Sequence, residues 1–155
     1  MKEFLRCLSL PIQNKTLIVP YSVVAEVISF ESPTPVANAP KWVLGELAWR
    51  ESKIPLLYLE MMNESASTSS SPSTEFLATP HLRIVILNRI SETAPNFVGI
   101  VLQNLPTMIR FKRADIELVS TCTTPSYLLM EVKVRNQPYF IPNIQWIEES
   151  MRNNV

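Results

Sequence analysis

Apolar and polar positions alternate along most of this chain in short runs, with a period of about two rather than 3.6. In the first run, Leu5 to Ile12, the residues Leu8, Leu10 and Ile12 alternate with Ser9 and Pro11. Gln13-Asn14-Lys15 separates it from Thr16 to Pro20, so the two runs read as a hairpin whose apolar face enters a core. Tyr21-Ser22-Val23 turns the chain into a third strand, Val24 to Phe30, where Glu26 stands beside β-branched neighbours. A carboxylate buried there needs a partner. Two prolines make Glu31 to Ala39 an irregular connector, and a third opens the stretch it leads into, Pro40–Glu60, PKWVLGELAWRESKIPLLYLE. There an alternating run, Leu44 to Trp49, and an apolar one, Ile54 to Leu59, flank the polar turn Glu51-Ser52-Lys53. This pattern predicts a second hairpin, with Arg50 held at its end between large side chains.

The Ser/Thr run Asn63 to Thr74 has no apolar period and cannot offset its ordering entropy, so it reads as a flexible loop. The β pattern then resumes. Leu82 to Leu87 and Phe97 to Leu102, joined over Ser91 to Asn96, are rich in Val and Ile, as buried strands require. Thr107 to Phe111 and Ile116 to Val119 are shorter strands, and Tyr127 to Val134 pairs with Pro138 to Ile141 across Arg135-Asn136-Gln137. Asn143 caps a short helix through Met151, with Ile144, Ile147 and Met151 on one face and Glu148-Glu149 on another. That helix is expected to cover a barrel as a lid.

Composition narrows the function more than the fold. The chain has 155 residues, 46% of them hydrophobic, enough for one domain or two small lobes sharing a core. Its 13 prolines leave little room for long helices, so the fold is expected to be all-β. With only 2 glycines there is no phosphate cradle or dinucleotide turn. Fourteen basic residues balance 14 acidic ones, which argues against nucleic acid as a partner. No apolar run approaches the roughly 20 residues that cross a bilayer, and Met1-Lys2-Glu3 does not open an export signal, so a cytoplasmic protein without direct membrane insertion is expected. Cys7 and Cys122 have no ligand-spaced companion, and the single histidine, His81, sits at the edge of the polar run without a nucleophile or paired acid nearby. No catalytic residue, metal or cofactor is expected, and an enzyme ranks last among the readings.

Read from the pattern alone, Arg50 and Glu51 are equally well two solvated turn residues and Glu26 an edge charge. Trp42 and Trp49 read as core aromatics before interface ones. A longer string adds to this. Val24, Glu26, Val27, Pro40, Gly45, Arg50, Ile54, Pro55 and Leu59 stand where the CheW family of chemotaxis adaptors has Val-x-Glu-Val/Ile, Pro, and Gly-x-x-x-x-Arg-Gly-x-x-Ile-Pro-x-x-Asp-Leu. Val98-Gly99-Ile100-Val101-Leu102 likewise resembles the second-half Val-Gly-x-x-Val strand of that family. Three positions depart: Glu51 replaces a glycine, while Tyr58 and Gln103 each replace an aspartate. The combination Trp42, Gly45, Trp49-Arg50 and Pro55-Leu56-Leu57 looks closest to the ChpC-like adaptors of type IV pilus chemosensory systems.

The resemblance implies a single CheW-like domain of two small five-stranded, SH3-like β-barrel lobes around a shared core, with a short C-terminal helix. The lobes would be residues about 1–62 and about 76–142, separated by a loop at about 63–75 and followed by the helix at about 143–151. It implies bridging rather than catalysis: a groove between the lobes takes the cytoplasmic tip of a chemoreceptor, and a barrel end takes the regulatory domain of a histidine kinase. The groove residues would be Val24, Glu26, Gly45, Arg50, Val101 and Leu102, with Val24 touching the receptor helix, Glu26 facing Arg50, and Gly45 permitting a tight turn. The runner-up is a small β-barrel that binds nucleic acid or a protein outside chemotaxis.

Overall fold

Strand-forming residues at period two become strands here, and their order decides how many faces each must bury. In this computed structural model residues 4–62, 81–88, 97–122 and 126–154 are described. The strands are β1 Phe4–Ile12, β2 Lys15–Pro20, β3 Val24–Ser29, β4 Val43–Trp49, β5 Ser52–Leu57, β6 Arg83–Asn88, β7 Phe97–Leu102, β8 Thr107–Lys112, β9 Ile116–Thr121, β10 Leu128–Val134 and β11 Gln137–Pro142, followed by the helix α1 Ile144–Asn154. The expected loop at 63–75 and the turn at 91–96 lie outside the described residues.

Two sheets result, ordered β8-β1-β2-β11-β10-β9 and β3-β6-β7-β5-β4. They form two barrel-like lobes, but one has six strands rather than the expected five. Neither sheet comes from one half of the chain. β1 and β2 join the last four strands, whereas β3, β4 and β5 join β6 and β7. The expected partition at residues 62 and 76 therefore does not separate the sheets. Four pairings make the joins: the antiparallel pairs β1–β8 and β3–β6, and two parallel ones, β11 on β2 through Phe140 and Leu17 and β5 on β7 through Leu56-Leu57 and Gly99-Ile100.

This interleaving explains the uninterrupted apolar runs. In β6, Ile84 and Ile86 fill the interior of the five-stranded lobe, while Val85 and Leu87 face a core shared by both lobes. β5 divides Leu56 from Leu57 in the same way, and β7 divides Val101 from Ile100 and Leu102. On the other sheet, β2 sends Leu17 and Val19 to the shared core and Ile18 to its own barrel. Strands covered on both faces have no polar side to alternate with.

The helix begins where Asn143 accepts the Trp146 backbone N–H at 3.1 Å, as the sequence pattern predicts, and runs to Asn154. Ile147 and Met151 enter the shared core. The helix thus covers the seam between lobes rather than a barrel, and Glu148, expected on its polar face, is buried.

Each hairpin expected to turn on three polar residues turns on two. Ile12 pairs with Lys15, Trp49 with Ser52 and Val134 with Gln137. The loops are Gln13-Asn14, Arg50-Glu51 and Arg135-Asn136, with positive φ at Asn14, Arg50, Glu51, Arg135 and Asn136. At Arg50-Glu51 and Arg135-Asn136, where both loop residues have positive φ, such a turn matches the right-handed twist of the strands it joins.

Candidate functional site

β3 and β4 are the two edges of the five-stranded sheet, and the curl of that sheet brings them together. Both carry a bulge, between Val24 and Glu26 in β3 and between Val43 and Gly45 in β4. Bulges bend an edge and re-aim its side chains. β3 and Phe30, the residue that follows it, place Ala25, Ile28 and Phe30 against the barrel interior and Val24 and Val27 against the shared core. Glu26 lies at the barrel mouth, and its carboxylate meets Trp49 and Arg50 across the gap between the edges.

The Trp49 indole N–H donates to Glu26 Oε2 at 2.5 Å. The nearest guanidinium nitrogen of Arg50 is 3.8 Å from the same oxygen, with the Arg50 side chain 66% and the Glu26 side chain 40% exposed. The guanidinium carbon also stands 4.5 Å from the centre of the Trp49 ring. Trp49 is pinned in turn by Phe97, edge to face, with centroids 4.8 Å apart. An exposed ion pair is worth about 0–1 kcal/mol and an exposed cation–π contact about 0.5–1 kcal/mol. A hydrogen bond to a charged group is worth about 1.5–3 kcal/mol, so Trp49 holds Glu26 more firmly than Arg50 does.

Gly45 makes no tight turn. It sits inside β4 at φ +150, where a Cβ would lie 2.4 Å from the Thr34 carbonyl oxygen. Its bare backbone lets the connector cross β4, where Thr34 and Glu46 exchange backbone hydrogen bonds of 2.9 and 2.8 Å. Val24 is half-buried and pairs with Leu87. Val101 and Leu102, expected as groove residues, are both 0% exposed. They fill the lobe interior and the shared core, and neither offers surface to a partner. The structure thus assembles Glu26 and Arg50, with Val24 on the same edge strand, and removes Val101 and Leu102 from the surface.

Pattern reading assigned Trp49 to the core and missed its polar role. The signal was present: a tryptophan directly before an arginine at a strand end carries an N–H that must find an acceptor when buried.

A second polar cluster joins the lobes beside the shared core. Glu60 Oε2 accepts the Gln13 backbone N–H at 3.4 Å, and the Tyr58 hydroxyl donates to Gln13 Oε1 at 3.1 Å. The Gln103 backbone N–H donates to the Pro11 carbonyl at 2.9 Å. Glu60 Oε1 and Gln103 Nε2 are buried with no partner at full hydrogen-bond distance among the described residues, although the Gln103 side chain is near enough to favour the Glu60 charge. Burial pushes the Glu60 carboxyl above the ordinary glutamate value, against the smaller opposing pull of Gln13, Tyr58 and Gln103. Tyr127 is raised as well, by burial first and by the Glu60 charge second. Tyr58 and Gln103 thus share one cluster, although they lie on separate segments.

The sequence profile of the CheW-like domain family matches residues 6–150. The chain belongs to that family. Its fold is similar to that of the scaffolding protein TtCheW from Thermoanaerobacter tengcongensis, seen in a crystal structure. The TM-score is 0.67 at 16% identity, over 93% of this chain and 86% of that one. No curated protein matches the sequence. Members of the family are scaffolds and adaptors of chemotaxis signalling rather than enzymes. The match takes in every residue of the Glu26–Trp49–Arg50 cluster.

Proposed function

We propose that this chain is a non-catalytic cytoplasmic adaptor that couples the cytoplasmic tip of a chemoreceptor to the regulatory domain of a histidine kinase. One observation carries the reading. An exposed arginine is presented on a hairpin tip, oriented by a carboxylate and an indole, beside an edge strand that offers the half-buried Val24. A helix docking in a groove needs an apolar contact and a few orienting polar groups, and this edge supplies both. Val24, Glu26 and Arg50 form the proposed receptor face, and Gly45 shapes its wall. The kinase domain would take a barrel end, and the pathway would be a type IV pilus chemosensory system, a reading supported by the Trp42, Trp49-Arg50 and Pro55-Leu56-Leu57 combination.

The test is a pull-down with the cytoplasmic tip of a chemoreceptor and the regulatory domain of a histidine kinase from the same organism. Arg50→Ala is expected to weaken receptor capture by about tenfold, as loss of an interface anchor does, and Val24→Arg to abolish it. If both variants fold and bind the receptor tip like the wild type, the assigned face is wrong.

A further inference from the structure

We infer that Trp49 is the positioning residue of the Arg50 site: it aims the guanidinium outward by stacking beneath it and by fixing its counter-ion, Glu26. The inference rests on the receptor face proposed above for its functional meaning, but the geometry behind it is independent.

Arg50 begins with few restraints. Its side chain is 66% exposed, and its distance to Glu26, 3.8 Å, is loose for an ion pair. Such a pair does not by itself hold a long side chain in one orientation. Trp49 is 7% exposed and locked between the lobe interior and Phe97. An indole N–H donates and cannot accept, so at this burial it takes the acceptor it can reach, Glu26 Oε2. That bond fixes the oxygen that Arg50 also faces. The indole ring then supplies a flat, electron-rich surface 4.5 Å from the guanidinium carbon. At φ 46, the Arg50 backbone sends the chain back into β5, so the side chain leaves the hairpin tip beside that ring. A single rigid aromatic thus touches both members of the pair, with Glu26 coming from a strand that is not hydrogen-bonded to β4.

Trp49→Phe keeps an aromatic body against Phe97 and beneath Arg50 but removes the N–H donor. Affinity for the receptor tip is expected to fall about fivefold in this variant, and the same change in an Arg50→Ala background is expected to cost nothing further. An equal loss in both backgrounds would mean that Trp49 acts through packing alone and would overturn the inference. A readout without a partner accompanies this cycle: the NMR signals of the indole protons, assigned by substituting Trp42, Trp49 and Trp146 in turn. Glu26→Gln is expected to move the Trp49 indole signal, and Trp49→Leu to abolish the ring-current shift of the Arg50 methylenes. If neither signal responds, the contacts do not orient Arg50 and the inference fails. A wild-type chain that binds no receptor tip refutes the adaptor reading alone, and the NMR pair then decides the role of Trp49.

Discussion

Glu51 occupies a backbone position made for glycine. At φ 65 it follows Arg50 at φ 46, and a residue with a Cβ in that region carries local strain. Glu51→Gly is expected to raise stability by about 0.5–1 kcal/mol, read as a higher urea midpoint with an unchanged slope. A lower midpoint would show that the turn is not strained. Gly45 is the reverse case. A methyl group there meets the Thr34 carbonyl oxygen at 2.4 Å on a backbone at φ +150, so Gly45→Ala is expected to cost about 2 kcal/mol or more in the same assay. The facing of Glu26 and Arg50 was legible in the sequence, because both stand in a recognisable string. For Trp49 the sequence showed a donor that needs an acceptor when buried but not which one, since Glu26 lies 23 residues away on the opposite sheet edge.

Among the elements, hairpins were readable to within one residue. Polar triplets marked each turn, but only the twist of paired strands reduced each loop to two residues. Val101 and Leu102 were misjudged because an apolar run looks the same whether its second face meets a partner or a second core. The 3-10 turn Leu59–Met61 carries a further consequence in Glu60. Its carboxyl is raised above 4.5 by burial, so the folded state binds this proton more tightly than the unfolded chain does. The associated stability is fully present below about pH 4.5 and is lost as pH rises through the folded value. Glu60→Gln, which keeps the shape without the charge, is therefore expected to gain stability relative to wild type as pH rises from 4.5 to neutrality. Denaturant unfolding of both proteins across that range measures the difference. A gap that does not change with pH would place the Glu60 proton outside the folding equilibrium.

On the scale of the whole molecule, the two lobes are not two segments. β4 and β5 reach the rest of their sheet only through β7, and β1 and β2 reach theirs through β8 and β11. Residues 1–62 produced alone therefore lack the strands that cover Leu56, Leu57 and Val19, and are expected to show no dispersed amide spectrum or cooperative melt. A folded fragment would contradict the interleaved arrangement. The sequence by itself determined the strands, the location of three hairpin turns, the helix cap at Asn143 and the string that marks the family. Those features depend on neighbours a few residues apart, where period, turn chemistry and capping act. Only the tertiary structure decided which strands adjoin beyond the hairpins, which core each face of β6 and β7 meets, and that Trp49 meets Glu26. These outcomes depend on pairings between distant segments, and a period of two shows that a strand has two faces without showing what each of them meets.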